Sequence, residues 1–311
     1  ITGTASAINT AYASDGLVGL GSEAITVNSG TASVTEVNDL ADLTTGTLTA
    51  TVTEGDMATL AGITESGNAL TVTVTDTSVA ADALNTLDGL TTVAVDLSSA
   101  TTVTGSVSDI DTAYSSDGLS GLGDEAITVS ESITVAQANT LDAHTSGVVT
   151  ATISDNDIAS LDTLTGTGNA YTISVSDASV TAAGLNTLDG KTTVAVDLSS
   201  ATTVTGSVSD IDTAYSSDGL SGLGDEAITV DSGTASVAEV NDLADLTTGT
   251  LTATVTEGDM ATLAGITESG NALTVTVTDT SVAADALNTL DGLTTVAVDL
   301  SSATTVTGSV S

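Results

Sequence analysis

The nine residues GLGDEAITV stand at 121–129 and again, unchanged, at 222–230, with the near copy GLGSEAITV at 19–27. Residues 25–108 match residues 228–311 over 84 positions with two changes, Asn28 to Asp231 and Thr35 to Ala238, and residues 91–129 recur unchanged at 192–230. The long period is 101 or 102 residues, giving repeat units 1–102, 103–203 and 204–305, with 306–311 opening a fourth. A chain of 311 residues would otherwise suggest about two domains, but a repeating chain is read by its period rather than its length. The expectation is one continuous array. A catalytic site is assembled once, from locally unusual residues, so near-identical repetition reads as a protein that is not an enzyme.

A shorter period lies inside the long one. The runs TLTATVT (47–53), ALTVTVTD (69–76) and TTVAVD (91–96) fall about 22 residues apart, and apolar residues alternate with Thr or Ala in each. Alternation with period two predicts half-buried strands with Leu48, Ala50, Val52, Leu70, Val72, Val74, Val93 and Val95 turned inward. AITV (24–27) is the fourth, shorter strand. Between them SVAADALNTLDG (78–89) places Val79, Ala83, Leu84 and Leu87 on one helical face, with Ser78 as N-cap and Gly89 as a left-handed stop. The same grammar recurs at 33–46, 56–62 and 108–118. Helices of barely two turns do not survive alone in water, so each coil must bury its apolar face against its neighbours.

The fold class expected is therefore an α/β solenoid of about 12 stacked coils, each a short helix and a strand, forming one continuous parallel β-sheet. Helices pack about 8–10 Å apart and strands about 4.8 Å, so the stack should curve. The alternative is an all-β parallel β-helix.

The chain carries 41 acidic residues against one Lys, a formal net charge of −40. Nucleic acid and anionic membrane surfaces need clustered positive charge, so neither is an expected partner. The 40% hydrophobic content, regularly placed, argues for folding rather than disorder. No run approaches the roughly 18 apolar residues of a membrane span, so insertion is not expected. Ile1 opens in mid-repeat without a secretory signal pattern, which reads as an interior piece of something longer. Absence of Cys excludes disulfides and thiolate metal sites. The acidic, Thr-, Ser-, Gly- and Ala-rich composition favours an extracellular, cell-surface location.

Leu84, Leu87, Leu90, Val93 and Val95 have a spacing that resembles leucine-rich repeats in one coil of four, with Asp96 near the place of that family's consensus Asn. The resemblance implies horseshoe-like geometry. GLGDEAITV, GNAYTISVSD and LNTLDGKTTVAVD are together similar to the giant repetitive cell-surface (β-strand repeat) proteins of marine cyanobacteria, a likeness that spans the whole chain. It implies extracellular display in adhesion, motility or a surface coat.

An acid follows almost every strand: Glu54, Asp76, Asp96, Asp155, Asp177, Asp197, Glu257, Asp279 and Asp299. Stacked, these carboxylates repel unless they cap the following helix, stay solvated or bind cations. Capping and solvation are the simpler reading; calcium, a hard ion that takes oxygen ligands, is the alternative. The sharper calcium candidates are Asp117, Asp124 and Glu125, set among three glycines in SSDGLSGLGDEAI (115–127), with Asp218, Asp225 and Glu226 in the next repeat. The first repeat has Ser22 in place of Asp124, and the competing reading is a glycine-rich turn with a capping acid. Outward Thr49, Thr51, Thr71 and Thr73 are similar to the Thr arrays by which some β-solenoids bind ice, a remote reading, and could equally carry glycans. His144 is expected at the surface, and Lys191 is a surface exchange for Leu90 and Leu293.

The function expected is structural: the repeat region of a long secreted protein that forms a cell-surface fibre, filament or coat by associating with copies of itself. The alternatives are the passive stalk of a large adhesin and a calcium-dependent binding module.

Overall fold

The computed structural model describes residues 1–28 and 30–308. The chain divides into two compact units, Ile1–Thr152 and Ile153–Ser311. The fold is α/β: twelve helices of four to ten residues among the described residues, with short strands paired in parallel. The all-β alternative therefore does not hold.

In the first compact unit the strands Thr2–Gly3, Ile25–Val27, Leu48–Thr51 and Ala69–Thr71 pair in chain order. The helices Ala5–Tyr12, Val34–Ala41 and Met57–Leu60 connect them. A second sheet begins at Ser78–Ala80 and continues through Thr102–Gly105 and Ala126–Ile133, with the helices Ala81–Asp88 and Val107–Ser115 between. Val135–His144 is the helix that follows. In the second compact unit Ser179–Thr181, Thr203–Gly206, Ala227–Val230, Leu251–Thr254 and Ala272–Thr274 form the corresponding sheet. Register keeps like beside like: Val79 pairs with Val103 and Val103 with Ile127.

The alternation sets the core. Leu48, Ala50, Val52, Leu70, Val72 and Val74 are buried, and the Thr residues between them face out. Thr51 stands beside Thr71 on that outer face. Along the helices the buried side is carried by Val34, Val37 and Leu40, or by Ala81, Leu84 and Leu87.

Among the described residues the strands lie in six separate sheets of two to five strands rather than in the one continuous sheet expected. A side chain explains the break. Thr91 Oγ1 accepts from the Leu70 amide at 3.0 Å and donates to the Leu70 carbonyl at 2.7 Å, occupying both groups that a following strand would bond. Thr294 does the same to Leu273, and Thr192 bonds both backbone groups of Tyr171. The ladder resumes only at Asp96, whose amide reaches the Val72 carbonyl at 3.0 Å. Between those points the backbone leaves the strand path. Val93, expected inside, is consequently 37% exposed, and the inward residues are Val95 and Leu97.

Two helix-end expectations also change. Ser78 lies in a strand rather than at a cap; the helix starts after Ala80, without a side-chain cap bond. Gly89 is right-handed at φ −66°, because the helix runs on into the turn that carries Leu90 instead of reversing.

Leu97→Ala should lower stability by about 2–5 kcal/mol, the usual cost of emptying a buried leucine site. Val93→Ala should stay within about 0.5 kcal/mol. Chemical denaturation of the two variants checks the inward and outward assignments directly.

Candidate functional site

The glycine-rich loop occurs three times and is organised each time around a glutamate. After the helix Val107–Ser115 the chain passes Leu119–Ser120 and turns through Gly121 and Gly123 at φ 85° and 136°, left-handed conformations that favour glycine. This turn drives Glu125 inward, where it is 1% exposed. Its Oε2 accepts from the Tyr114 hydroxyl at 2.9 Å and from the Gly123 amide at 2.8 Å. Its carbonyl accepts from Thr145 Oγ1 of the next coil at 2.6 Å. A Cβ on Gly147 would collide with that same carbonyl oxygen, so only glycine allows the approach.

The third repeat reproduces the arrangement. Glu226 takes the Tyr215 hydroxyl at 2.9 Å, the Gly224 amide at 2.8 Å and, on its carbonyl, Thr247 Oγ1 at 2.6 Å. In the first repeat Glu23 is only half-buried and takes Tyr12 at 3.2 Å with the amides of Gly21 and Ser22. The Gly21 amide, above all, holds the Glu23 carboxyl below the usual carboxylate range. Burial, then the hydrogen bond and charge of the partner glutamate, push the Tyr114 and Tyr215 phenols far above theirs. The Oε1 atoms of Glu125 and Glu226 are buried without a protein partner.

The structure thus separates the six candidate calcium ligands. Glu125 and Glu226 point into the loop, while Asp117, Asp124, Asp218 and Asp225 are exposed. Among the described residues no three His, Asp or Glu side chains converge as a metal-ion group. The tyrosine was the residue overlooked in the sequence. The pair eleven residues apart, Tyr12 with Glu23, Tyr114 with Glu125 and Tyr215 with Glu226, recurs in all three repeats and was available as a signal.

The acids that follow the strands have a different role from the one expected. They cap the helix of the preceding coil, not the following one. Glu54 accepts from the Val34 amide at 3.0 Å and Asp76 from Met57 at 2.6 Å; Glu131, inside the strand Ala126–Ile133, serves Val107 in the same way at 3.0 Å. Asp177, Glu257 and Asp279 do the same for Ile158, Val237 and Met260 at 2.7, 3.0 and 2.7 Å. Each such helix also has its own N-cap, as Asp56 bonds the Thr59 amide at 2.9 Å and Ser33 that of Glu36 at 3.3 Å. Two carboxylates, or a carboxylate and a hydroxyl, thereby share the unpaired N–H groups of one helix start, where the helix dipole favours negative charge. Asp96, Asp197 and Asp299 instead close a turn on the amide two residues on, at 2.9–3.0 Å.

His144 is half-buried rather than at the open surface. Its Nε2 lies 2.9 Å from Asp111 Oδ1 and its ring stacks on Tyr114 with centroids 5.3 Å apart. Lys191 is half-buried; its equivalent Leu90 lines an apolar cleft of about 190 Å³ with Met57 and Leu60. Set against protein-family models, curated proteins and solved structures, the chain finds no match in any of the three.

Tyr114→Phe should cost about 1–3 kcal/mol by removing a donor from a buried carboxylate. In alkaline titration, Tyr114 and Tyr215 should stay protonated past the usual range near pH 10. Their raised pKa contributes stability that is whole below that range and is lost as pH rises, so their 295 nm absorbance should grow only as the fold opens.

The acid side has the opposite sign. The Thr59 hydroxyl holds Asp56 below the usual range, the Ser98 amide Asp96 and the Ser199 amide Asp197. Their contribution is complete above about pH 4 and is lost as pH falls through the lowered values. Carboxyl ¹³C titration by NMR should find these three below the solvated acids.

Proposed function

We propose that this chain is a structural repeat region, a solenoid that associates with copies of itself to build an extracellular fibre, filament or coat. The observation that supports this best is that one joint is used three times. Val79 pairs with Val103, Val180 with Val204 and Val282 with Val306, each in the same parallel register. A surface made of such units offers the same contact at every period, which suits ordered assembly rather than recognition of one small ligand. The exposed Thr rows and the acidic turns keep the outer face hydrated and leave positions for glycans, and the composition fits display at a cell surface. The buried Tyr–Glu loops serve in this reading as internal ties, not as a reactive centre. Calcium enters it as a bridge between exposed Asp117, Asp124, Asp218 and Asp225 of neighbouring copies.

Electron micrographs of the purified chain should show regular filaments or sheets with a repeating spacing. Monodisperse single particles at every concentration would instead support the passive stalk of an adhesin. Repeating the preparation in a calcium chelator tells bridged assembly, which disperses, from direct contact, which persists.

A further inference from the structure

The chain's single histidine stands where the first and third repeats have Leu43 and Leu246. All three positions are half-buried, so the exchange puts a titratable ring into a site that otherwise takes an apolar side chain. His144 is the last residue of the helix Val135–His144, and the next two residues carry the joint to the coil before. Thr145 Oγ1 donates to the Glu125 carbonyl at 2.6 Å, and the Ser146 amide to the Gly123 carbonyl at 2.9 Å. The sister repeats make the same two bonds, from Thr44 and Thr45 to Glu23 and Gly21, and from Thr247 and Thr248 to Glu226 and Gly224. To this shared joint His144 adds a polar contact. Its Nε2 lies 2.9 Å from Asp111 Oδ1 on the packed helix Val107–Ser115, and its ring stacks on Tyr114 with planes 22° apart.

Each of these contacts is stronger with an imidazolium than with a neutral ring. The bond to Asp111 becomes an ion pair. The face of Tyr114 attracts a cation. The helix end on which His144 sits carries partial negative charge. The titratable groups around it are Asp109, Asp111 and Tyr114 on the packed helix, Asp124 and Glu125 in the loop that Tyr114 ties, and Glu131 on the strand Ala126–Ile133. Asp142 lies on its own helix, and Asp157 and Asp162 at the two ends of the next coil's helix. None of these is a base. A neutral ring with its proton on Nε2 keeps the Asp111 hydrogen bond but loses the ion pair.

We propose that Asp111, His144 and Tyr114 form a pH-sensitive clamp, confined to the middle repeat, that tightens the joint between two neighbouring coils in acid and relaxes it as pH rises. Imidazole changes charge between about pH 5 and pH 8. The ion pair contributes fully on the acid side of that window and is lost as pH rises through it.

The sister repeats keep the joint without the clamp. The first has Asn9 and Leu43 at the two positions, and the third has Asp212 and Leu246. The Asp111 side chain is 52% exposed, so water screens the pair and its effect is a few-fold rather than a hundredfold. The clamp is internal to one chain and operates whether or not copies associate.

Amide hydrogen exchange on the 311-residue chain tests this at about pH 5.5 and about pH 8, on either side of the middle of the imidazole range, with rates corrected for the intrinsic effect of pH. Protection of the Ser146 amide should be about two- to fivefold higher at the lower pH. The Thr248 amide, bonded in the same way in the third repeat, is the control within the same molecule and should not follow it. His144→Leu brings in the residue of both sister repeats, so the fold accommodates it, and should make Ser146 as indifferent to pH as Thr248. Asp111→Asn, with the residue of the first repeat, should do the same while leaving the ring on Tyr114. Equal protection of Ser146 at the two pH values would overturn the clamp, as would a parallel change at Thr248. His144→Leu lowering Ser146 protection by one factor at both pH values would show that the ring acts by packing alone, and Asp111→Asn keeping the full response would remove the ion pair; either result overturns the proposal.

Discussion

The first backbone amides of each short helix have no backbone partner within their own turn, and in the helices that begin at Val34, Met57, Val107, Ile158, Val237 and Met260 one of them finds a carboxylate in the coil that comes next. Met57 is bonded by Asp76 and Val34 by Glu54, across 19 and 20 residues of sequence. A four-residue helix such as Met57–Leu60 has too few internal hydrogen bonds to hold itself. Its stability comes from the buried Leu60 on one side and the borrowed carboxylate at its end. The extreme acidity is thus partly structural. Glu54, Asp76, Asp177, Glu257 and Asp279, which would repel in a bare column, are each placed at the positive end of a helix, where attraction to the dipole and to a backbone amide offsets the repulsion.

The same economy of contacts governs the sheets and loops. Thr91, Asn68 and Glu125 all use a side chain where a longer strand would use backbone. Asn68 Oδ1 accepts from the Leu48 amide at 2.9 Å, much as Thr91 serves Leu70. Each substitution lets the chain leave the strand path without abandoning a buried polar group, which would cost more than the bond itself returns. The result is a set of short sheets separated by polar side-chain links rather than one ribbon of backbone.

Periodicity made much of this legible before any coordinates. The strands at 47–53 and 69–76, their inward Leu and Val, and the helices after Ser33 and Asp56 follow from alternation and capping alone. The misreadings share a cause. TTVAVD has the pattern of a strand, but the Thr91 hydroxyl bonds Leu70 first and turns Val93 outward. Carboxylates after strands look like caps for the next helix because sequence shows only what is near in the chain, whereas the actual partner lies a coil earlier. The burial of Glu125 is hidden for the same reason: it stands among glycines and next to Asp124, and the tyrosine that bonds it lies eleven residues back.

The borrowed caps also give the array a direction. Losing Asp76 strips an amide partner from the helix at Met57, but losing that helix takes no cap from the coil bearing Asp76, because the borrowed carboxylate always comes from the later coil. Fraying that begins at a C-terminal coil therefore takes a cap from the coil before it, while fraying from the N-terminal side takes none from the coil after it. Unravelling in such a chain is polar: it travels backwards along the sequence more readily than forwards.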